Sequence, residues 1–222
     1  MRAKPSMPVL VSMDEIRSEA QTHRLIGGVL CLDFANTLNG HGKTPAHEYL
    51  KNYRDAVLWS RKAGILPDRN AESLIREATR QPDRAATAFK RVIALRETLY
   101  RVFSAIAHGG SPKATDLSQL NEARAEALAH SQIVRTEDGF VLDWADRTAL
   151  HRMLWPIAIS AAELLTSGNL SRIHECAGES CDWLFLDTSR NHMRRWCSMD
   201  ECGNRAKSQR FLERKRRSGV CQ

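Results

Sequence analysis

The chain has 222 residues, 42% hydrophobic and 27% charged, a balance that fits a folded globular protein and excludes wholesale disorder. Its longest apolar run falls well short of the ~18 residues of a membrane span, so no membrane helix is expected. The net charge of +7 favours an anionic partner.

The apolar stretch at residues 7–13 is too short and interrupted for a secretory core, which gives an expected cytoplasmic location. Ser12 to Glu15 reads as a capping box for a short helix ending by Gly27 and Gly28. Residues 29–34, Val-Leu-Cys-Leu-Asp-Phe, are apolar and β-branched enough to predict a buried strand, followed by a loop at Gly40 and Gly42. Thr44 and Pro45 predict an N-cap with proline at the first helical position, for a helix to about residue 62 that stops at Gly64. Further helices are expected near 71–79, over 83–107 behind Pro82, and from an Asp116 cap to about 130. Residues 133–135 and 140–142, joined through Glu137-Asp-Gly139, predict a hairpin. A last large helix over 147–166, kinked at Pro156, ends at Gly168. The expected fold class is α+β: a mostly helical N-terminal domain (1–168) with a small antiparallel sheet, and a C-terminal treble-clef-like zinc module (169–222).

The chemistry concentrates in that module. Of six cysteines, Cys176, Cys181, Cys197 and Cys202 form two equal C-x4-C steps with fifteen residues between them. Four thiolates suit the closed tetrahedral shell of structural zinc, and a stretch of about fifty residues needs such a staple to fold. Disulfides suit an oxidising compartment that the chain gives no sign of entering, and iron–sulfur runs have tighter, unequal spacing. Residues 183–186 predict a strand with 193–196 returning as its partner. A helix then follows Gly203 and Asn204, with Ala206, Phe211 and Leu212 facing inward. His174 and His192 read as ordinary polar residues, since four sulfurs already complete the shell. The first 170 residues nearly balance, with 22 basic against 19 acidic residues, whereas 205–217 carry seven basic residues against Glu213 alone. Arg194, Arg195 and Arg205, near the ligands, are candidates for precise DNA contacts, and Lys207, Arg210, Arg214, Lys215, Arg216 and Arg217 for phosphate contacts. Trp183, Phe185, Trp196 and Phe211 read as core, with base stacking as the alternative.

Cys197-Ser-Met-Asp-Glu-Cys202-Gly203-Asn204-Arg205, preceded by Asp187-Thr-Ser-Arg190 and Arg195-Trp196, resembles the CGNR zinc-finger family over about 176–215. Gly27-Gly-Val-Leu-Cys-Leu-Asp-Phe-Ala-Asn-Thr37 resembles the start of the ABATE domain that precedes this finger. The resemblance implies a stress-induced bacterial transcription regulator whose finger binds DNA. A protein-docking finger without DNA binding remains the alternative, with a small-molecule enzyme in the N-terminal domain as the lesser one.

In the N-terminal domain, Asp33, Asn36 and Thr37 admit two readings. They hold a small-molecule effector, joined by Arg54, Trp59 and Arg96, or they hydrogen-bond the glycine loop and fix its path. A homo-oligomer is left open. Enzyme motifs fail: Gly42-Lys43-Thr44 has Thr37 where a phosphate loop needs glycine, and Lys51 replaces the second histidine after His47-Glu48.

Overall fold

The computed structural model describes residues 19–41 and 46–219, so the Ser12–Glu15 capping box and the Thr44-Pro45 start lie outside the described residues. Helix α1 spans Glu19–Thr22 and α2 Leu30–Ala35, followed by the two-residue strands β1 (Leu38–Asn39) and β2 (His47–Glu48). Then come α3 (Tyr53–Lys62), α4 (Asp68–Arg80), α5 (Pro82–Ala107), α6 (Ala114–His130), the hairpin β3 (Ser131–Thr136) and β4 (Gly139–Trp144), and α7 (Leu154–Thr166). The tail adds β5 (Ile173–Glu175), β6 (Leu184–Leu186), a wide turn over Met199–Gly203 and α8 (Asn204–Gly219). Among the described residues, three antiparallel pairs, β1–β2, β3–β4 and β5–β6, make separate two-stranded sheets, and the body is mostly helical.

The apolar run after Gly28 is a helix, which corrects the expected strand. Cys31, Leu32, Asp33, Phe34 and Ala35 are buried on every side of α2, and a run that is apolar all round carries no period to separate helix from strand. It packs against α5, α7 and β6 as the centre of the body. Helix α3 begins at Tyr53, with Asn52 as N-cap accepting from the Asp55 amide at 3.0 Å. Helix α7 begins at Leu154, later than expected, because Asp146 accepts amides of Thr148 and Ala149 and closes a turn there instead. Pro156 therefore sits in the first turn, where its missing N–H costs nothing.

In the tail, β6 pairs with β5 in the register Ile173↔Leu186 and Glu175↔Leu184, not with residues 193–196. The latter stay close to the metal knuckle through one bond, the Ala177 amide to the Arg195 carbonyl at 2.9 Å. Phe211 and Leu212, expected to face inward, are 67% and 54% exposed, because α8 projects past the small module.

The tail hairpin is built into the main core. Ile173 and Leu184 belong to the same buried cluster as Leu32, Phe34, Trp59 and Phe103. Gly28, at φ +84°, turns the chain alongside β6 in a backbone conformation that side chains rarely adopt.

Candidate metal centre and nucleic-acid interface

Two chain segments bring the four cysteines together. Cys176 follows β5 and Cys181 precedes β6, so the β5–β6 ladder closes the first pair into a knuckle, with the Cys176 amide bonded to the Trp183 carbonyl at 2.9 Å. Cys197 and Cys202 bracket the turn that leads into α8. All four sulfurs are buried and lie within 4.8 Å of one another. Two of the separations, Cys181–Cys197 and Cys197–Cys202, are 3.7 Å. Sulfurs ~2.3 Å from a central zinc form a tetrahedron with edges of about 3.8 Å, so the spacing fits the ion. The Cys197 amide points at Cys176 Sγ at 3.4 Å, a donor suited to a thiolate. Neighbouring sulfurs and burial push the thiols of Cys181 and Cys197 upward, so a cation is what allows the whole set to ionise. Four sulfurs leave no open coordination position, which makes the metal structural.

Trp183 and Phe185 are buried against this cluster, as expected of core. His174 lies in β5 with its ring 5.8 Å from Phe185, and the exposed His192 holds a left-handed φ of 48°; neither completes the metal shell.

The basic residues divide by role. Arg195 and Arg210 are exposed and lie over the half-buried Trp196 ring, at 5.5 and 5.8 Å from its centre. Arg205 joins them around a cleft of about 240 Å³, where it donates to Ser180 Oγ at 2.8 Å. Gln209 donates to Glu179 one helical turn further on, clasping α8 to the first knuckle. Lys207, Arg210 and Arg214 recur at i, i+3 and i+7, one stripe along α8. Lys215 and Arg216 are exposed on the last described turns, while the side chain of Arg217 lies outside the described residues.

Arg194 departs from the sequence expectation. Its guanidinium donates to the Trp196 carbonyl at 2.9 Å and to that of Cys197, and it lies 4.3 Å from the centre of the Phe185 ring. Its amide donates to Asp187 at 2.8 Å. These contacts consume it as a brace of the second metal loop.

A family model described as "Putative stress-induced transcription regulator", ABATE, matches residues 28–168, and a CGNR zinc-finger model matches residues 172–215. The chain belongs to the ABATE family. With the finger match, the four clustered sulfurs form the structural zinc site of a CGNR finger. No curated protein matches the sequence.

In the ABATE domain, Asp33, Asn36 and Thr37 are buried and spend their polar atoms on the fold. Asp33 accepts the Gly27 amide at 2.7 Å, and Thr37 donates to the Phe34 carbonyl at 2.8 Å. Asn36 grips the finger: its amide donates to the Leu184 carbonyl at 2.8 Å, and its carbonyl accepts the Leu184 amide at 2.7 Å. The main-chain carbonyl of Asn36 accepts from His23 Nε2, whose Nδ1 accepts from Trp59. Arg96 is buried between Glu48 and Glu97, Trp59 is core, and Arg54 is exposed. Sequence reasoning missed this seam between domain and finger. Gly40 donates to Asp182, Ser104 donates to Glu175, and Arg24 pairs with Glu201 across it. An Asn at the C-cap of α2 was the available signal, but its partner lies 148 residues away.

Proposed function

We propose that this protein is a zinc-dependent, DNA-binding transcription regulator of the cytoplasm and not an enzyme, with the CGNR finger contacting DNA and the ABATE domain orienting it. The observation that carries this reading is the exposed trio Arg195, Arg205 and Arg210 around Trp196, on a platform that the metal and the seam hold rigid. Rigid guanidinium groups lose little freedom on binding and suit bidentate contacts, while the α8 stripe of Lys207, Arg210 and Arg214 supplies phosphate neutralisation. An effector sensed by the ABATE domain would find room in the cavity of about 330 Å³ among α5, α6 and α7, where Arg91, Gln119 and Glu122 meet an apolar wall including Trp155.

Selection on fragmented genomic DNA, with and without chelator, tests the reading. Sequence enrichment that chelation abolishes is the expected result. Retention without enrichment, unaffected by chelation, would overturn it. The exposed Phe211 and Leu212 favour a second reading, in which α8 docks a protein partner. That reading predicts loss of partner binding, with DNA affinity unaltered, when both are made polar.

A further inference from the structure

The β3–β4 hairpin is an apolar arm with nothing over it among the described residues. It is a two-stranded sheet with both outer edges unpaired, and such a hairpin is marginal in water unless something covers it. One face carries the cross-strand pairs Ser131↔Trp144, Ile133↔Leu142 and Arg135↔Phe140. At its base this face packs Trp144 on Trp155, with ring centres 5.6 Å apart. Further out it carries Ile133, Leu142 and Phe140, 73%, 73% and 75% exposed. Beneath this overhang runs an apolar groove of about 530 Å³ between α6 and α7, walled by Leu117, Leu128, Ile159 and Leu165 with Leu142 at its lip.

We propose that the chain forms a homodimer by reciprocal docking: the hairpin of each copy seats Phe140 and Ile133 in the α6–α7 groove of the other about a two-fold axis. Three observations select a second copy as the occupant. An apolar projection and an apolar recess lie side by side on one chain, and such self-complementarity closes under two-fold symmetry. Charge complementarity is available as well: the groove lining carries Arg124 and Glu163, and the hairpin carries Arg135 beside Phe140 with Glu137 and Asp138 at its turn. The exposed hairpin side chains run on into the partly exposed Leu117 and Leu128 of the groove, one apolar patch of the kind that marks a protein–protein contact. The inference is independent of DNA binding. Two fingers on a symmetric dimer would, however, read paired half-sites.

Sedimentation equilibrium of the full-length zinc-loaded protein from about 1 to 100 µM tests it, at concentrations that bracket ordinary dimer affinities. The expected species has twice the 25.1 kDa chain mass. Phe140→Asp should weaken dimerisation at least about 30-fold, as loss of a central anchor does. Ala162→Arg, which fills the groove and leaves the hairpin untouched, should do the same, with circular dichroism and zinc content unchanged in both. A wild-type monomer at 100 µM overturns the proposal, and so does a dimer that survives the groove variant.

Discussion

Asp33 and His23 sit within one small buried region and answer acid in opposite directions. Burial pushes Asp33 up to about 6, against the opposing bonds from Gly27 and Ile26. Burial pushes His23 down to about 4, against its bond to Asn36 and with help from Lys62. Folded Asp33 binds a proton more readily than the unfolded chain, so its contribution is present at low pH and lost as pH rises from about 4 through 6. Folded His23 resists protonation, so its contribution is present above about 6.5 and lost as pH falls towards 4. Asp33→Asn keeps an acceptor for Gly27 and removes only the first effect. It should be about 1–3 kcal/mol more stable than wild type at pH 7 and lose more stability between pH 7 and 4.5. Denaturant melts across that range check this, and parallel pH curves for the two proteins would refute it. Asn36→Ala leaves both the amide and the carbonyl of buried Leu184 unpaired, and should cost about 2–4 kcal/mol in the same assay. The arginines separate as sharply. Replacing Arg195, Arg205 and Arg210 by Ala should reduce the salt slope of DNA binding by up to about 2.7. Arg194→Ala should lower finger stability and leave that slope alone. Equal loss of slope from Arg194→Ala would contradict its role as a brace.

At the scale of elements, legibility followed periodicity and turn chemistry. Helix α5 was readable because its buried Val92, Leu99, Val102 and Phe103 recur on one face behind Pro82 at the first helical position. The β3–β4 hairpin was readable from its turn. Helix α2 was not, because it is encased on all sides and its six residues show neither period. The β5–β6 pairing escaped because strands of three residues carry too little pattern, and the cysteine knuckle between them masks the connection. The metal ligands were legible in full, since spacing alone identifies four sulfurs. The cation platform was legible as composition but not as geometry, because Arg194 and Arg195 are adjacent in sequence and opposite in role. Helix α8 was legible in its start after Gly203 and Asn204, but it runs on to Gly219 through residues 214–217 that read as a flexible tail, and its apolar pair is exposed. Phe211→Ser with Leu212→Ser should therefore shift unfolding free energy by no more than about 0.5 kcal/mol, as surface changes do. A loss above about 2 kcal/mol in denaturant melts would place them in a core instead.

Across the whole molecule, finger and ABATE domain share a core and a set of seam bonds that neither provides alone. Ile173 and Leu184 lie in the ABATE core, and Asn36, Gly40 and Ser104 bond to the finger backbone or its carboxylates. Under the proposed function, this seam is the physical route by which a change in the ABATE body would reach Arg195, Arg205 and Arg210. Metal loss should act the other way, loosening β5 and β6 and withdrawing the cover that Ile173 and Leu184 give the ABATE core. Mass spectrometry of the reduced native protein under non-denaturing conditions, paired with hydrogen exchange over 173–216, tests that centre directly. One zinc per chain with a protected finger is the expected wild-type result, and Cys197→Ser should lose both the ion and the protection. A metal-free wild-type chain with the same protected segment would contradict it.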